Sequence, residues 1–246
     1  MATNRPTANI HSFESLATLD GVGVRYGIFF VGCPFRCIYC HNPDTWTGEG
    51  QRFTVDELAK KVVRYKPYFG KDGGVTLSGG EVLVQSAFVA AFEKRMKKEG
   101  IGVVLDTSGS VPLTKDVKAA IDGAETVILD LKFWDDEHYR KYCGGGISTV
   151  LDTLEYCEQK NVPVWIRTVI VPGINDKEEC IDKYADIVRG HKCVKRYQLL
   201  AFHTMGFSKY EKLGIKNPLE GTPAMDRKRL DELTSYLESK EIVNND

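Results

Sequence analysis

One pattern restricts the fold of this chain more than any other: an apolar, β-branched run, a polar or glycine-rich turn, then an amphipathic helical stretch, six times over. The strand-like runs are Val22–Val31, Gly74–Leu77, Val103–Leu105, Thr126–Leu131, Val162–Val171 and Val194–Phe202. The helical stretches that follow them are Arg52–Lys66, Ser86–Glu99, Thr114–Ile121, segments within Asp136–Lys160, Lys177–Arg189, and a last helix with Thr222 as cap and Pro223 in its first turn. Thr54 and Glu57 form a capping box at the first of these. Six such units predict a parallel sheet with right-handed crossovers. They are too few to close an eight-stranded barrel, and no Gly-x-Gly-x-x-Gly follows a strand. The expected fold is α/β, an open, partial parallel (β/α)6 barrel that is TIM-barrel-like. No linker divides residues 1–246, so a single domain is expected, with loose tails at about 1–9 and 243–246.

A formal net charge of −1 gives no reason to expect nucleic acid or an anionic membrane as partner. No apolar run approaches a membrane span, and the first residues lack the apolar region of a signal peptide. The expected location is the cytoplasm, where thiols stay reduced. Of the seven cysteines, Cys143, Cys157, Cys180 and Cys193 have no ligand spacing and read as ordinary buried thiols.

In such folds reacting groups gather where strands end and βα loops begin. The first strand runs into Cys33-Pro-Phe-Arg-Cys37-Ile-Tyr39-Cys40, a CxxxCxxC loop. Three thiolates so placed can hold a cubane iron–sulfur cluster and leave one iron open for chemistry. A zinc site with His41 as fourth ligand is the other reading, although no second cysteine pair follows. The remaining strand ends carry Ser78-Gly79-Gly80-Glu81, Asp106-Thr107-Ser108-Gly109, Asp130-Leu131-Lys132, Pro172-Gly173-Ile174-Asn175 and His203. Each has a plainer alternative: a tight turn for Gly79-Gly80, an Asx turn for Asp106, an ion pair for Asp130 with Lys132, a structural histidine for His203. Arg167, inside an apolar strand, is less easily dismissed, because a buried guanidinium needs an anion.

The cysteine loop with its aromatic Tyr39, followed by Thr76-Leu77-Ser78-Gly79-Gly80-Glu81, resembles the radical S-adenosylmethionine (SAM) superfamily. Further stretches narrow the resemblance to the glycyl-radical activases that act on pyruvate formate-lyase. They are His11–Ser15, Asp20–Arg25, Cys40–Trp46, Leu105–Gly109, Leu129–Lys132, Val164–Arg167 and Val171–Asp176. The resemblance implies a 4Fe-4S cluster on Cys33, Cys37 and Cys40 whose open iron binds SAM. Reductive cleavage would give a 5′-deoxyadenosyl radical that takes hydrogen from a glycine on a partner enzyme. Gly79, Gly80 and Glu81 would hold the methionine amino end, and Lys132 and Arg167 the carboxylate or ribose side. Tyr39, Cys40, His41 and the Val171–Asn175 turn would cradle adenine, with His203 on the nucleoside and Leu131 alongside. Asp106, Thr107 and Asp130 would suit a monovalent cation. Asp20, Gly21, Gly23 and Arg25 would form a flap over the partner's glycine loop. A flavodoxin- or ferredoxin-type donor and a monomeric state complete the expectation.

The sequence departs from the family's usual pattern at Val22, Val82 and Ser108, and none of these removes a ligand. Two other enzyme readings stand beside this one. The first is an activase of another glycyl-radical enzyme, a ketoacid lyase or an anaerobic ribonucleotide reductase. Against many such activases, no cysteine occurs between Cys40 and Cys143. The second is a small-molecule radical enzyme such as a deazapurine synthase. A zinc-stapled binding module is the non-enzymatic reading.

Overall fold

A computed structural model describes residues 6–243. Its centre is an eight-stranded sheet. The strands are β1 (Thr7–Ala17), β2 (Arg25–Phe30), β3 (Gln51–Thr54), β4 (Gly74–Gly79), β5 (Gly102–Thr107), β6 (Thr126–Asp130), β7 (Val164–Ile170) and β8 (Val194–Ala201). Their order is β3-β1-β2-β4-β5-β6-β7-β8. From β2 through β8 every pairing is parallel, while β1 pairs antiparallel with both β2 and β3. The sheet is not closed, which is the partial barrel predicted from the βα alternation.

The parallel strands read as continuous apolar runs because helices cover the sheet. These are α1 (Val55–Val63), α2 (Ser86–Lys98), α3 (Lys115–Ile121), α4 (Asp136–Cys143), α5 (Ser148–Lys160), α6 (Glu178–Val188), α7 (Phe207–Lys212) and α8 (Arg227–Glu238). Leu58 and Val62 of α1, Phe88 and Phe92 of α2, and Tyr184 of α6 are buried in the same core as Leu77 and Val164 of the sheet.

Four boundaries differ from expectation. Thr7–Asn9 belongs to β1 rather than to a loose tail, and pairs with β3; the tail residues 1–5 and 244–246 lie outside the described residues. Arg52 and Phe53 are strand, and α1 starts at Val55 with the expected capping box, Thr54 accepting from the Glu57 amide at 3.3 Å. The last helix is capped by Asp226, whose carboxylate accepts from the Arg229 amide at 2.9 Å, and not by Thr222. The short α7 was not expected.

The Asp20–Arg25 segment, expected as a flap, is turned inward. The Asp20 carbonyl accepts from Thr76 on β4, its carboxylate pairs with Arg167 on β7 at 3.1 Å, and a Cβ on Gly21 would lie 3.3 Å from Val104 on β5. Arg25 is fully buried. Its guanidinium donates to the carbonyls of Val22 and Val75 at 3.1 and 2.8 Å and lies 3.5 Å from Glu125. It ties the starts of neighbouring strands together and is not presented to a partner.

Glu93 on α2 is buried with neither carboxylate oxygen hydrogen-bonded, packed where a Cβ on Gly123 would touch it. Burial pushes its carboxyl up to about 9, slightly opposed by Lys94. The unfolded chain therefore ionises first, and stability is full below the ordinary carboxylate range and falls as pH rises toward 9. The advantage of Glu93→Met over the parent in urea unfolding is expected to grow by about 4 kcal/mol between pH 5 and pH 8. An advantage that is the same at both pH values would contradict this.

Candidate active site

The loop after β2 reaches the site because β4 lets it come close. Gly79 has φ +115°, and a Cβ there would sit 2.3 Å from the Phe30 nitrogen; one on Gly80 would sit 2.4 Å from the Gly32 oxygen. Only glycine fits either contact. The Gly80 amide donates to Phe30 at 3.0 Å and the Glu81 amide to Gly32 at 2.7 Å. The glycine pair thus docks the end of β4 against the stem of the cysteine loop. Arg36 steadies that loop, donating to the carbonyls of Cys33 and Phe35 at 2.6 and 2.7 Å, with its guanidinium 5.1 Å from the Trp46 ring centre.

Cys33, Cys37 and Cys40 line one cavity of about 230 Å³. Tyr39, His41, Gly79, Gly80, Asp106, Asp130, Lys132 and Arg167 line it too, so the structure brings these expected site residues together. Sequence reasoning did not single out Asn42, Thr45, Trp46, Ser78, Ser108, Val169 and Leu200 as wall residues. Alternation along β4 and β7 carries the signal for two of them, since Ser78 follows Thr76 at i+2 and Val169 follows Arg167 likewise. A larger cavity, about 850 Å³ between β8 and α8, has no thiols in its lining.

Four expected residues and the Val171–Asn175 turn are not in the wall; that turn is closed on itself, the Val171 amide donating to Asn175 Oδ1 at 2.7 Å. Glu81 is buried and turned away from the cavity. One carboxylate oxygen accepts from the Leu83 amide at 2.9 Å and the Thr107 hydroxyl at 2.6 Å. The other accepts from the Ser108 amide at 2.9 Å, the Ser108 hydroxyl and the Ser110 hydroxyl at 3.2 Å. The carboxylate and Thr107 are therefore engaged with each other and clasp the loop after β5. Leu131 is core. His203 stacks on His41 with ring centres 3.6 Å apart. Burial, with His203 beside it, lowers His41 to about 4, and burial lowers His203, so both rings are neutral near pH 7.

The floor of the cavity is ionic. Lys132 pairs with Asp130 at 2.8 Å, and Ser78 donates to Asp106 at 2.6 Å. Burial, with Asp130 close by, raises Asp106 to about 7 despite the opposing Arg167. Burial works against the Lys132 ammonium, but Asp130 and the nearby thiols outweigh it and hold its pKa high. The anion that Arg167 was expected to need is Asp20.

The donor set suits an iron–sulfur cluster. Burial pushes the Cys33 thiol up to about 12 and the Cys40 thiol up to about 11, so a bound metal must displace their protons. Among the described residues no three His, Cys, Asp or Glu side chains converge on a single ion. Three thiols that line one cavity can serve as corner ligands of a multi-iron cluster.

Comparison with known proteins agrees with the geometry. Residues 28–184 match the Radical SAM superfamily. The pyruvate formate-lyase-activating enzyme of Clostridium pasteurianum is 42% identical over 236 residues, covering 95% of this chain and 98% of that protein. The pyruvate formate-lyase 1-activating enzyme of Escherichia coli strain K12 is 38% identical over 232 residues, covering 93% and 94%. Among solved structures, Streptococcus suis SuiB bound to S-adenosylmethionine has the same fold at TM-score 0.66, with 15% identity over 84% of this chain and 44% of that one. A domain of a Bacteroides vulgatus pyruvate-formate lyase-activating enzyme matches at TM-score 0.56, with 20% identity over 70% of this chain and 96% of that one. The chain belongs to the radical SAM superfamily and, within it, to the family of the pyruvate formate-lyase-activating enzymes.

Proposed function

We propose that this chain activates pyruvate formate-lyase by generating a glycyl radical on it. Cys33, Cys37 and Cys40 are the ligands of a 4Fe-4S cluster in this reading, and the cavity they share with Lys132 and Arg167 holds SAM. A cluster held there would supply the electron for reductive cleavage of SAM to methionine and a 5′-deoxyadenosyl radical, which would take hydrogen from a glycine α-carbon of the partner. The observation that carries the proposal is the meeting of three thiols with a cationic and hydrogen-bonding floor in one cavity.

The chain's own residues bind, orient and exclude water; no protein base is needed. Gly79 and Gly80 present backbone in the wall where the SAM ammonium would lie, and Asp106 in the same wall would accept from it. Lys132 offers the SAM carboxylate a counter-charge, and Arg167 can add a second if it leaves Asp20. The unpartnered Nε2 of His41, a wall residue backed by the stacked His203 ring, would offer a hydrogen-bonding group to an adenine or ribose edge. Glu81 is assigned a holding role on the loop after β5 instead of direct contact with SAM. A monovalent cation would sit between Asp106 and Asp130, and Thr107 would have to leave Glu81 to join it.

Asp20, Gly21 and Gly23 are the segment that a partner's glycine loop would meet, with Leu19 and Val22 exposed beside them. The reading places the protein in the cytoplasm as a monomer, reduced by a flavodoxin- or ferredoxin-type donor. No helix among the described residues is long and apolar enough to cross a membrane. The test is anaerobic mixing of the reduced, cluster-loaded chain with SAM and pyruvate formate-lyase, read by electron paramagnetic resonance. A glycyl radical on the partner is expected. SAM cleavage with no such signal would remove this partner and leave only the radical chemistry.

A further inference from the structure

The second half of the cysteine loop, Cys40 to Trp46, is held by a segment far away in sequence. The Tyr210 hydroxyl on α7 donates to the Cys40 carbonyl at 3.0 Å, and its buried ring meets Trp46 edge-on with centres 6.0 Å apart. Next to it, the Lys209 ammonium bridges Asn42 Oδ1 at 2.7 Å and Asp44 Oδ1 at 3.0 Å. The other Asp44 oxygen lies 3.2 Å from His11 on β1. A Cβ on Gly206 would come within 2.9 Å of the His41 backbone, so α7 is laid directly on the loop. These clasping residues lie outside the stretch 28–184 that matches the superfamily.

We propose that Tyr210 is a positioning residue for the third cluster ligand, fixing the Cys40 main chain so that its thiolate meets the iron without rearrangement. The proposal rests on the reading that Cys33, Cys37 and Cys40 hold the cluster. Cys37 is anchored by its neighbours, the Arg36 amide donating to Cys143 at 2.7 Å and the Ile38 amide to Tyr142 at 2.9 Å. Cys40 has one local backbone bond, its amide to the Cys37 carbonyl at 3.1 Å; its thiol meets the Asn42 amide and Trp46, and its carbonyl is held by Tyr210 on α7. Loss of the hydroxyl leaves the Cys40 carbonyl without this donor and frees the corner that carries the third thiolate.

The experiment measures how fast iron passes from the anaerobically loaded chain to a chelator, with the thermal unfolding of the cluster-free chain as control. Tyr210→Phe keeps the ring against Trp46, and it is expected to release iron about fivefold faster, the factor carried by one lost hydrogen bond. Its cluster-free unfolding temperature should fall by only about 2–4 °C, the cost of one hydrogen bond. The reduced cluster's paramagnetic resonance line shape should broaden as the Cys40 corner samples more geometries. Lys209→Met tests the same clasp through a second bond and should move release in the same direction. Release at the parent's rate in both variants, with the parent holding its cluster, would overturn the proposal. A parent that takes up no iron would overturn the cluster reading on which it rests.

Discussion

Cys37→Ala is expected to leave the protein folded and without its iron–sulfur cluster. SAM cleavage should fall by roughly 10³-fold or more, which corresponds to about 4 kcal/mol of lost transition-state stabilisation. The reason is arithmetic: with three cysteines in the loop and an open iron, no spare ligand exists among them. The nearest candidate for rescue is Cys143, a buried thiol at the end of α4 that interacts with Cys37. It does not line the cavity. Cys143→Ala should therefore keep about four irons per chain, the count of one cubane, where Cys37→Ala keeps none. Iron and sulfide determination on both variants, prepared without oxygen, separates the ligand from its neighbour. A cluster retained in Cys37→Ala and lost in Cys143→Ala would reassign the ligand set.

The second large effect concerns Glu81, for which the sequence and the structure give different roles. A carboxylate that binds the SAM ammonium would, on conversion to Gln, lose affinity and leave stability unchanged. In the structure it accepts five hydrogen bonds from Leu83, Thr107, Ser108 and Ser110 while buried. Glu81→Gln turns one acceptor oxygen into an NH2 group facing donors, which leaves buried polar groups unsatisfied. The expected loss is about 3 kcal/mol, or roughly 6–12 °C in the midpoint of thermal unfolding for a chain of this size. Calorimetry of the cluster-free chain reads it without involving SAM at all. An unchanged midpoint together with weakened SAM binding would restore the ligand role.

These two cases show what sequence could and could not reveal. The alternation that produced β2 and β4–β8 was legible because parallel strands buried on both faces are continuous apolar runs bounded by turns. The cysteine loop was legible because ligand spacing is local. β1 was not, since Thr7–Ala17 mixes buried Ala8 and Ile10 with exposed polar residues, as edge-side strands do. The capping box at Thr54 was read correctly, but the helix was started three residues early because β3 is only four residues long. Asp226 was passed over for Thr222 because both precede plausible first turns, and only the bond to Arg229 decides between them.

Site residues divided in the same way. Strand-end position points Asp106, Asp130 and Lys132 toward the mouth, and all three line the cavity, while Arg167 lines it from the middle of β7. It did not tell where a side chain would be satisfied. Glu81 found donors on the loop after β5, Arg167 found Asp20 across 147 residues, and Arg25 found strand carbonyls. Such pairings are set by tertiary contact, to which single-chain pattern is blind.

The central claim is that this cavity delivers a radical to a glycine of pyruvate formate-lyase. It is tested most directly by supplying that partner with its glycines deuterated at the α-carbon. The reduced, cluster-loaded chain and SAM are then added without oxygen, and the 5′-deoxyadenosine is analysed by mass spectrometry. The account predicts deuterium in the 5′-deoxyadenosine, rising in step with a glycyl radical signal. 5′-Deoxyadenosine free of deuterium, with no such signal on the partner, would contradict it.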